Sequence, residues 1–162
     1  MTRIVNIAAG VLLAGSLSQF PEFSQQYVQR LGGAVDELSV VVRDFDKSAE
    51  ATGQSREKAL SSLTGTEFLS RRQDDMRRTI GRHENLIRDY ENLREANVYV
   101  RLAHISRYPD GLIAGQTWAD FQPAVPLTLD GLALTMIGYL SGYGLLGGLF
   151  GLRRGPRERR LA

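Results

Sequence analysis

The sequence predicts an all-α membrane protein in which two transmembrane helices flank a helical hairpin or bundle domain. Three observations indicate this class: an apolar segment near each end of the chain, a charged middle with helical periodicity, and a short basic tail. The mean hydropathy of −0.21 is typical of a soluble protein, but it averages two apolar ends with a polar middle. We therefore divide the 162 residues into segments 4–20, 21–125, 126–152 and 153–162.

Segment 4–20 follows a single basic residue, Arg3, and is apolar except for Asn6 and a few polar residues near its end. A membrane-spanning helix needs ~20 mainly apolar residues, or about 17 at the low end, so this segment is just long enough. We expect transmembrane helix 1, or a signal anchor. The alternative is a cleaved secretory signal, since the small residues Ser16 and Ser18 precede Gln19.

The start of segment 21–125 has the spacing of an amphipathic helix. Apolar residues recur every three or four positions, which places them on one face. Gly53 then predicts the end of the helix, and Ser55 predicts the N-cap of a short helix from Arg56 to about Leu63. The residues of the apolar face are Phe20, Phe23, Tyr27, Leu31, Val35, Leu38, Val42 and Phe45.

A second long helix is predicted from about Gly65 to Asn97. Thr64 and Glu67 have the spacing of a capping box, which would begin it. A heptad pattern typical of a coiled coil follows, and we expect this face to pack antiparallel against the first amphipathic helix. Its members are Leu69, Gln73, Met76, Ile80, His83, Ile87 and Tyr90.

The remainder of the central domain is predicted as two shorter helices separated by a turn. Residues 98–107 continue in a helical pattern, and the turn follows at 108–111. Residues 112–121 form the second short helix, which carries Trp118. Pro123 and Pro126 then interrupt the backbone before the second apolar segment.

Segment 126–152 is the stronger transmembrane prediction because 127–152 contains one charged residue, Asp130. Five arginines and one glutamate in 153–162 follow it, which predicts a cytoplasmic C-terminus by the positive-inside rule. With two spans, both termini are cytoplasmic and the central domain lies outside the cytoplasm. Asp130 would then lie at the outer membrane interface; the alternative is a proton or ion relay.

Both apolar segments carry small residues four positions apart, a spacing that lets membrane helices approach closely. Such a face can associate with a second copy of the chain, giving a homo-oligomer, or with a partner in a membrane complex. The alternatives are packing of the two spans on each other and the general enrichment of glycine in membrane helices. The helix–helix contact residues predicted on this basis are Gly10, Ala14, Gly138, Gly142, Gly144 and Gly148.

The sequence gives no positive argument for an enzyme, a cofactor or a metal site. The chain has no cysteine and only two histidines, His83 and His104, which we interpret as packed helix residues rather than ligands or bases. Residues 20–122 carry 14 Lys and Arg against 16 Asp and Glu, so the domain is not basic and nucleic acid is not expected as a partner. Five arginines between Arg71 and Arg82 are interpreted as a solvated, ion-paired face; the alternative is binding of lipid headgroups or an acidic partner.

Three strings resemble a family of small proteobacterial membrane proteins of unknown function: SQFPEFSQQY at 18–27, QRLGGAVDEL at 29–38 and TWADFQPAVPLTLDG at 117–131. The resemblance implies a bacterial inner-membrane protein, and it carries no activity or catalytic residue. Together with the orientation predicted from the arginines, it places the central domain in the periplasm. Two of the strings lie where a span meets the domain, so we expect their aromatic residues to form an interface collar or, alternatively, ordinary helix-end packing. The collar residues are Phe20, Phe23, Tyr27, Trp118 and Phe121.

Two functions remain open at this point. The first is a structural or accessory component that associates with membrane partners through its glycine-rich spans and its outer domain. The second is a periplasmic module that binds a lipid or another envelope ligand in a groove of the helical bundle. A groove lined by apolar side chains with several convergent polar groups would favour the second function.

Overall fold

The structure, a computed structural model, describes residues 2–107, 109–125 and 128–153, with side chains for all of these except 2 and 150–153. Its described residues form helices and no strand, so the all-helical prediction is confirmed. Of the predicted basic tail, all but Arg153 lies outside the described residues, as do Pro126 and Leu127. The helices are α1 (Thr2–Ser18), α2 (Phe20–Ala51), α3 (Arg56–Ser62), α4 (Glu67–Arg94), α5 (Val98–Ile105), α6 (Gly111–Ala119) and α7 (Leu129–Arg153).

The chain divides into two compact units. One comprises Met1–Ser24 and Asp120–Ala162, which brings the two apolar helices α1 and α7 together from opposite ends of the sequence. The other comprises Gln25–Ala119 and contains most of the charged residues. We call them the apolar unit and the polar unit.

Glycine and capping residues set the helix ends in the polar unit. Gly53 has φ +67° after α2, and the Ser55 side chain accepts a hydrogen bond from the Lys58 amide at the start of α3, as predicted. The capping box at Thr64 is wrong. Gly65 turns the chain at φ +103°, so α4 begins after Thr66, whose hydroxyl accepts the Leu69 amide at 3.2 Å.

The predicted end of the long helix at Asn97 also differs from the structure. Helix α4 ends at Arg94, and Asn97 instead caps α5 by accepting the amides of Tyr99 and Val100. Arg101 of α5 donates to the carbonyls of Leu93 and Arg94 at 2.9 and 2.8 Å. The Arg101 side chain thus satisfies two of the last backbone carbonyls of α4, and the Asn97 side chain satisfies the first amides of α5.

Helices α2 and α4 run antiparallel in the polar unit. Ser39 Oγ lies 2.8 Å from His83 Nε2, and Gly32 lies against the ring of Tyr90, so numbers rise along one helix as they fall along the other. Near the other end of the pair, a core cluster contains residues of α2, α3 and α4, with Phe45 packed against it. Its members are Val42, Leu60, Met76 and Ile80.

The buried face of α4 is wider than the predicted heptad. Met76 and Ile80 belong to the heptad, but the two most buried residues of α4, Leu86 and Leu93, lie outside it. The reason is a second neighbour, because the segment after α4 also lies along it: Arg82 pairs with Asp110, and Asp89 lies 3.4 Å from His104. A helix covered from two sides buries residues that a two-helix pattern leaves exposed.

Candidate membrane-spanning helices and their packing surface

The buried face of α1 consists of small residues at intervals of four. Asn6, Gly10, Ala14 and Ser18 are all buried, while the larger residues between them are mostly exposed. A strict interval of four is the ridge spacing that lets two helices interlock at close range. Helix α1 therefore presents one narrow, nearly flat face to its neighbour.

Helix α7 meets this face with its own glycines. A Cβ atom at Gly138 would lie 2.5 Å from the carbonyl oxygen of Leu13, and one at Gly142 would lie 2.5 Å from that of Ala9. A Cβ at Gly10 would lie 3.0 Å from the carbonyl oxygen of Tyr139. The two backbones touch at these points. Residue numbers rise along α7 as they fall along α1, so the two helices are antiparallel. We call this contact the α1–α7 seam.

The other predicted glycine pair of α7 has different surroundings. A Cβ atom at Gly144 or at Gly148 would meet nothing within 4 Å. Of the six predicted contact residues, the structure therefore brings Gly10, Ala14, Gly138 and Gly142 together and leaves Gly144 and Gly148 outside the seam. The spacing of four is the same in both α7 pairs, but only one pair faces α1.

Asn6 is a seam residue that the sequence analysis did not select. Its side chain is buried, its Nδ2 lies 3.2 Å from the Cβ position of Gly147, and its Oδ1 has no hydrogen-bond partner within the described residues. By hydropathy, Asn6 and Ser18 are polar interruptions of an apolar run. Their spacing of four from Gly10 and Ala14 is the signal that identifies both.

Large apolar side chains cover the outside of the apolar unit. Two helical stretches are long and apolar enough to cross a membrane, one beginning at Arg3 and one at Leu129–Leu149. Only 22% and 17% of their most apolar windows are buried, whereas a core helix of a soluble protein would be mostly buried. The exposed apolar residues include Ile4, Ile7, Val11, Leu12, Leu132, Met136, Leu140 and Leu145.

The predicted collar residues are divided between the two units. In the apolar unit, Phe23 and Phe121 pack edge to face with ring centroids 5.8 Å apart, and Phe20 is half-buried. In the polar unit, Tyr27 is fully buried, whereas Trp118 is exposed. Tyr27 is thus a core residue of its unit, and Trp118 is a surface residue.

Tyr27 belongs to a polar cluster between α2, α4 and the start of α6. Its hydroxyl accepts the Asp110 amide at 3.0 Å, and the Asp110 carboxylate accepts the Ile113 amide at 2.9 Å and pairs with Arg82 at 3.2 Å. Burial, together with the nearby charges of Asp110 and Asp89, raises the pKa of the Tyr27 phenol, although the Asp110 amide opposes this. The cluster ties α6 to the rest of the polar unit.

Most arginines of the Arg71–Arg82 stretch have acidic partners at the surface. Arg71 pairs with Glu67, Arg77 with Glu57, and Arg78 with Asp75. Elsewhere on the surface Arg56 donates to Asp46, and this hydrogen bond lowers the pKa of the Asp46 carboxyl. These are exposed pairs, of the kind that contribute about 1 kcal/mol or less to stability.

The charged and histidine residues considered in the sequence analysis lie apart from one another. Asp130 is exposed in the first turn of α7, and His83 bonds to Ser39. In the part of the chain that the structure describes, no group of three or more His, Cys, Asp or Glu is placed to hold a metal ion. The predicted residues that the structure does bring together are those of the α1–α7 seam.

The fold and the seam define an all-helical protein with two helices that are long and apolar enough to cross a membrane. The chain belongs to the family described as protein of unknown function (DUF2937), whose model matches residues 1–159. No curated protein and no solved structure matched it. The expected membership of an uncharacterised family is confirmed.

Proposed function

We propose that this protein is a non-enzymatic, structural or accessory component of a bacterial inner membrane, anchored by α1 and α7 as two antiparallel spans. The observation that carries the proposal is the distribution of residue sizes in the apolar unit. Glycine, alanine and Asn6 lie in the seam, and most of the large apolar side chains of the unit are exposed, although Leu134 is buried and the Tyr139 ring lies against Gly10.

This distribution supports lipid as the solvent of the apolar unit. In water, burying large apolar side chains is the main source of stability, at about 25 cal/mol per Å². A helix pair that exposes residues such as Leu12 and Leu140 and buries glycines gives up that source. In lipid, large apolar side chains can face the acyl chains at no cost in free energy, and close packing of the two backbones stabilises the helix pair.

The direction of insertion follows from the arginines after α7. Arg153 to Arg160 provide five positive charges next to the second span, which favours retention of this end in the cytoplasm. Two spans then return the N-terminus to the cytoplasm and place the polar unit in the periplasm. The acidic excess of residues 20–122 is compatible with export, since segments of this length cross largely regardless of charge.

Association with partners is assigned to the outer face of α7 that contains Gly144 and Gly148. Both positions are open, so a helix of a second copy or of another membrane protein can approach the α7 backbone there as α1 does at Gly138. The polar unit supplies a second contact region outside the membrane. No chemical step is assigned to either region.

Topology in a bacterial host tests the proposal. The chain has no cysteine, so single cysteines introduced by Ser55→Cys and Gly155→Cys report without background. We expect Ser55→Cys to react with a membrane-impermeant maleimide in intact spheroplasts and Gly155→Cys to react only after lysis. The protein should stay in the membrane fraction after alkaline extraction, with the mass of the full chain.

The opposite labelling pattern would invert the orientation and overturn the periplasmic assignment. A mass that lacks the residues up to about the end of segment 4–20 would identify the first segment as a cleaved signal and overturn the two-span anchor. Release by alkaline extraction would overturn membrane insertion altogether.

A further inference from the structure

Helix α6 exposes apolar side chains on the side away from its buried residues. Ile113 and Thr117 are its buried residues. At 100° per residue, Leu112 and Trp118 lie on either side of Gly115, on the half of the helix opposite the buried pair. Leu112 is 59% exposed and Trp118 is 73% exposed. We call these two side chains and Gly115 between them the α6 outer face.

The composition of α6 separates it from the other surface helices of its unit. Gly111–Ala119 contains no charged residue, whereas α4 has charges in every turn. From Gly111 to Leu129 the chain has one charge, Asp120. A solvated helix normally carries charged residues on its outer side, so the α6 outer face does not fit water as its only neighbour.

The chain also limits how far α6 can lie from the membrane. Trp118 precedes the first residue of α7, Leu129, by eleven residues, which span at most about 40 Å when fully extended. The interface between water and hydrocarbon is where a tryptophan ring is favoured. Lipid headgroups are therefore the occupant that both the chemistry and the chain connectivity select.

We infer that α6 lies on the outer surface of the bilayer, with Leu112 and Trp118 inserted at the level of the lipid headgroups. The inference rests on the proposed function, since it needs α7 to span the membrane. It adds a third membrane contact to the two spans, and the cluster of Tyr27, Arg82 and Asp110 holds the start of α6 within the polar unit.

Fluorescence of Trp118 tests this, because it is the only tryptophan of the chain. The full-length protein is reconstituted in vesicles of phosphatidylcholine and phosphatidylglycerol, with or without lipids that carry bromine atoms on the acyl chains near the headgroup. Bromine quenches tryptophan on contact. We expect about a twofold or greater loss of Trp118 emission, and a smaller loss when the bromines lie near the bilayer centre.

Two relocated tryptophans make the result specific. In Trp118→Phe with Phe68→Trp, the new ring occupies a site that is 74% exposed, almost as Trp118 is, but lies among the charges of Glu67, Arg71 and Arg72. We expect no more than slight quenching there. In Trp118→Phe with Leu112→Trp, the ring stays on the α6 outer face, and we expect quenching comparable to that of Trp118.

A third variant separates failure of this inference from failure of the proposed function. In Trp118→Phe with Leu140→Trp, the tryptophan lies near the middle of α7, where deep bromines should quench it most. If Leu140→Trp is quenched and Trp118 is not, α7 spans the bilayer and the inference on α6 is overturned. Equal quenching of Trp118 and Phe68→Trp also overturns it, and an unquenched Leu140→Trp overturns the proposed function.

Discussion

The α1–α7 pair and the α2–α4 pair are both antiparallel, but residues of opposite size hold them together. In α1–α7, backbone meets backbone at Gly138 and Gly142, and most large apolar side chains other than Leu134 are exposed. In α2–α4, large side chains such as Val42 and Ile80 fill the space between the helices, and charged residues point outward. The difference supports the proposed membrane setting of the apolar unit, because burial of large apolar side chains stabilises a protein in water and contributes little in lipid.

The largest expected effect compares the same substitution in the two pairs. Leu31 of α2 is 0% exposed and Leu140 of α7 is 62% exposed. We expect Leu31→Ala to destabilise the polar unit by about 2–5 kcal/mol, because it removes buried methyl groups and leaves a cavity. Leu140→Ala should change the stability of the apolar unit by no more than about 0.5 kcal/mol.

The measurement is the protection of one introduced cysteine in each unit of the full-length protein in detergent. Ala49→Cys reports on the polar unit and Ser18→Cys on the apolar unit, since both positions are buried. A loss of protection caused by Leu140→Ala as large as that caused by Leu31→Ala would remove the contrast between the two pairs.

The next prediction compares two close-packed glycines. A Cβ at Gly138 would meet the Leu13 carbonyl oxygen at 2.5 Å, whereas a Cβ at Gly32 would meet the Tyr90 ring at 3.0 Å. A ring can move by a few tenths of an ångström and a helical backbone cannot. We expect Gly138→Ala to cost about 3 kcal/mol in the apolar unit, and Gly32→Ala to cost about 1 kcal/mol or less in the polar unit.

Gly144→Ala is the matched control within α7, because a Cβ there meets nothing within 4 Å. It should leave the seam intact while reducing association between copies or with partners, which crosslinking in membranes measures. The seam itself can be followed with the pair Asn6→Cys and Gly147→Cys, which should form a disulfide. We expect Gly138→Ala to lower the yield of this disulfide. Equal effects of Gly138→Ala and Gly144→Ala on this disulfide would contradict the assignment of the two faces.

The polar cluster of Tyr27, Arg82 and Asp110 has no counterpart among the described residues of the apolar unit. Tyr27→Phe leaves the Asp110 amide without its acceptor and should cost about 1–3 kcal/mol. Because burial raises the Tyr27 pKa above its ordinary value of 10.0, both states are protonated below that pH and stability is unaffected. Above it the unfolded chain ionises first, so stability falls as pH rises through the folded pKa.

The difference in stability between the wild type and Tyr27→Phe should therefore shrink as pH rises above about 10. Ala49→Cys protection measured across this range checks the sign. A difference that stays constant with pH would show that ionisation of Tyr27 is not linked to folding.

Helix positions were predictable where a local signal exists, and so was the antiparallel pairing of α2 with α4, but not the faces that other elements cover. Gly53 and Ser55 mark the break between α2 and α3, because a positive φ and a side-chain cap are local requirements. Thr64 was the wrong cap because the capping-box pattern does not register that Gly65 still turns the chain. The cap lies two residues later, at Thr66, and the helix begins at Glu67.

The seam could be predicted only in part, since a spacing of four says that a face is small but not what covers it. Gly138 with Gly142 and Gly144 with Gly148 have the same pattern, and tertiary structure alone distinguishes them. Asn6 was misread because hydropathy counts a polar residue as a defect, whereas position on the helix shows it to be part of the buried face. Leu86 and Leu93 were missed because their burial depends on elements that follow α4 in sequence.

The seam joins residues that are made at very different times. Asn6 precedes Gly147 by 141 residues, so at ~5–20 residues per second the ribosome needs roughly 7–28 s between them. During that interval the small residues and the Asn6 amide of α1 have no α7 of their own chain to pack against. If the proposed two-span anchor holds, pairing of this α1 with the α7 of another copy is the expected error of assembly.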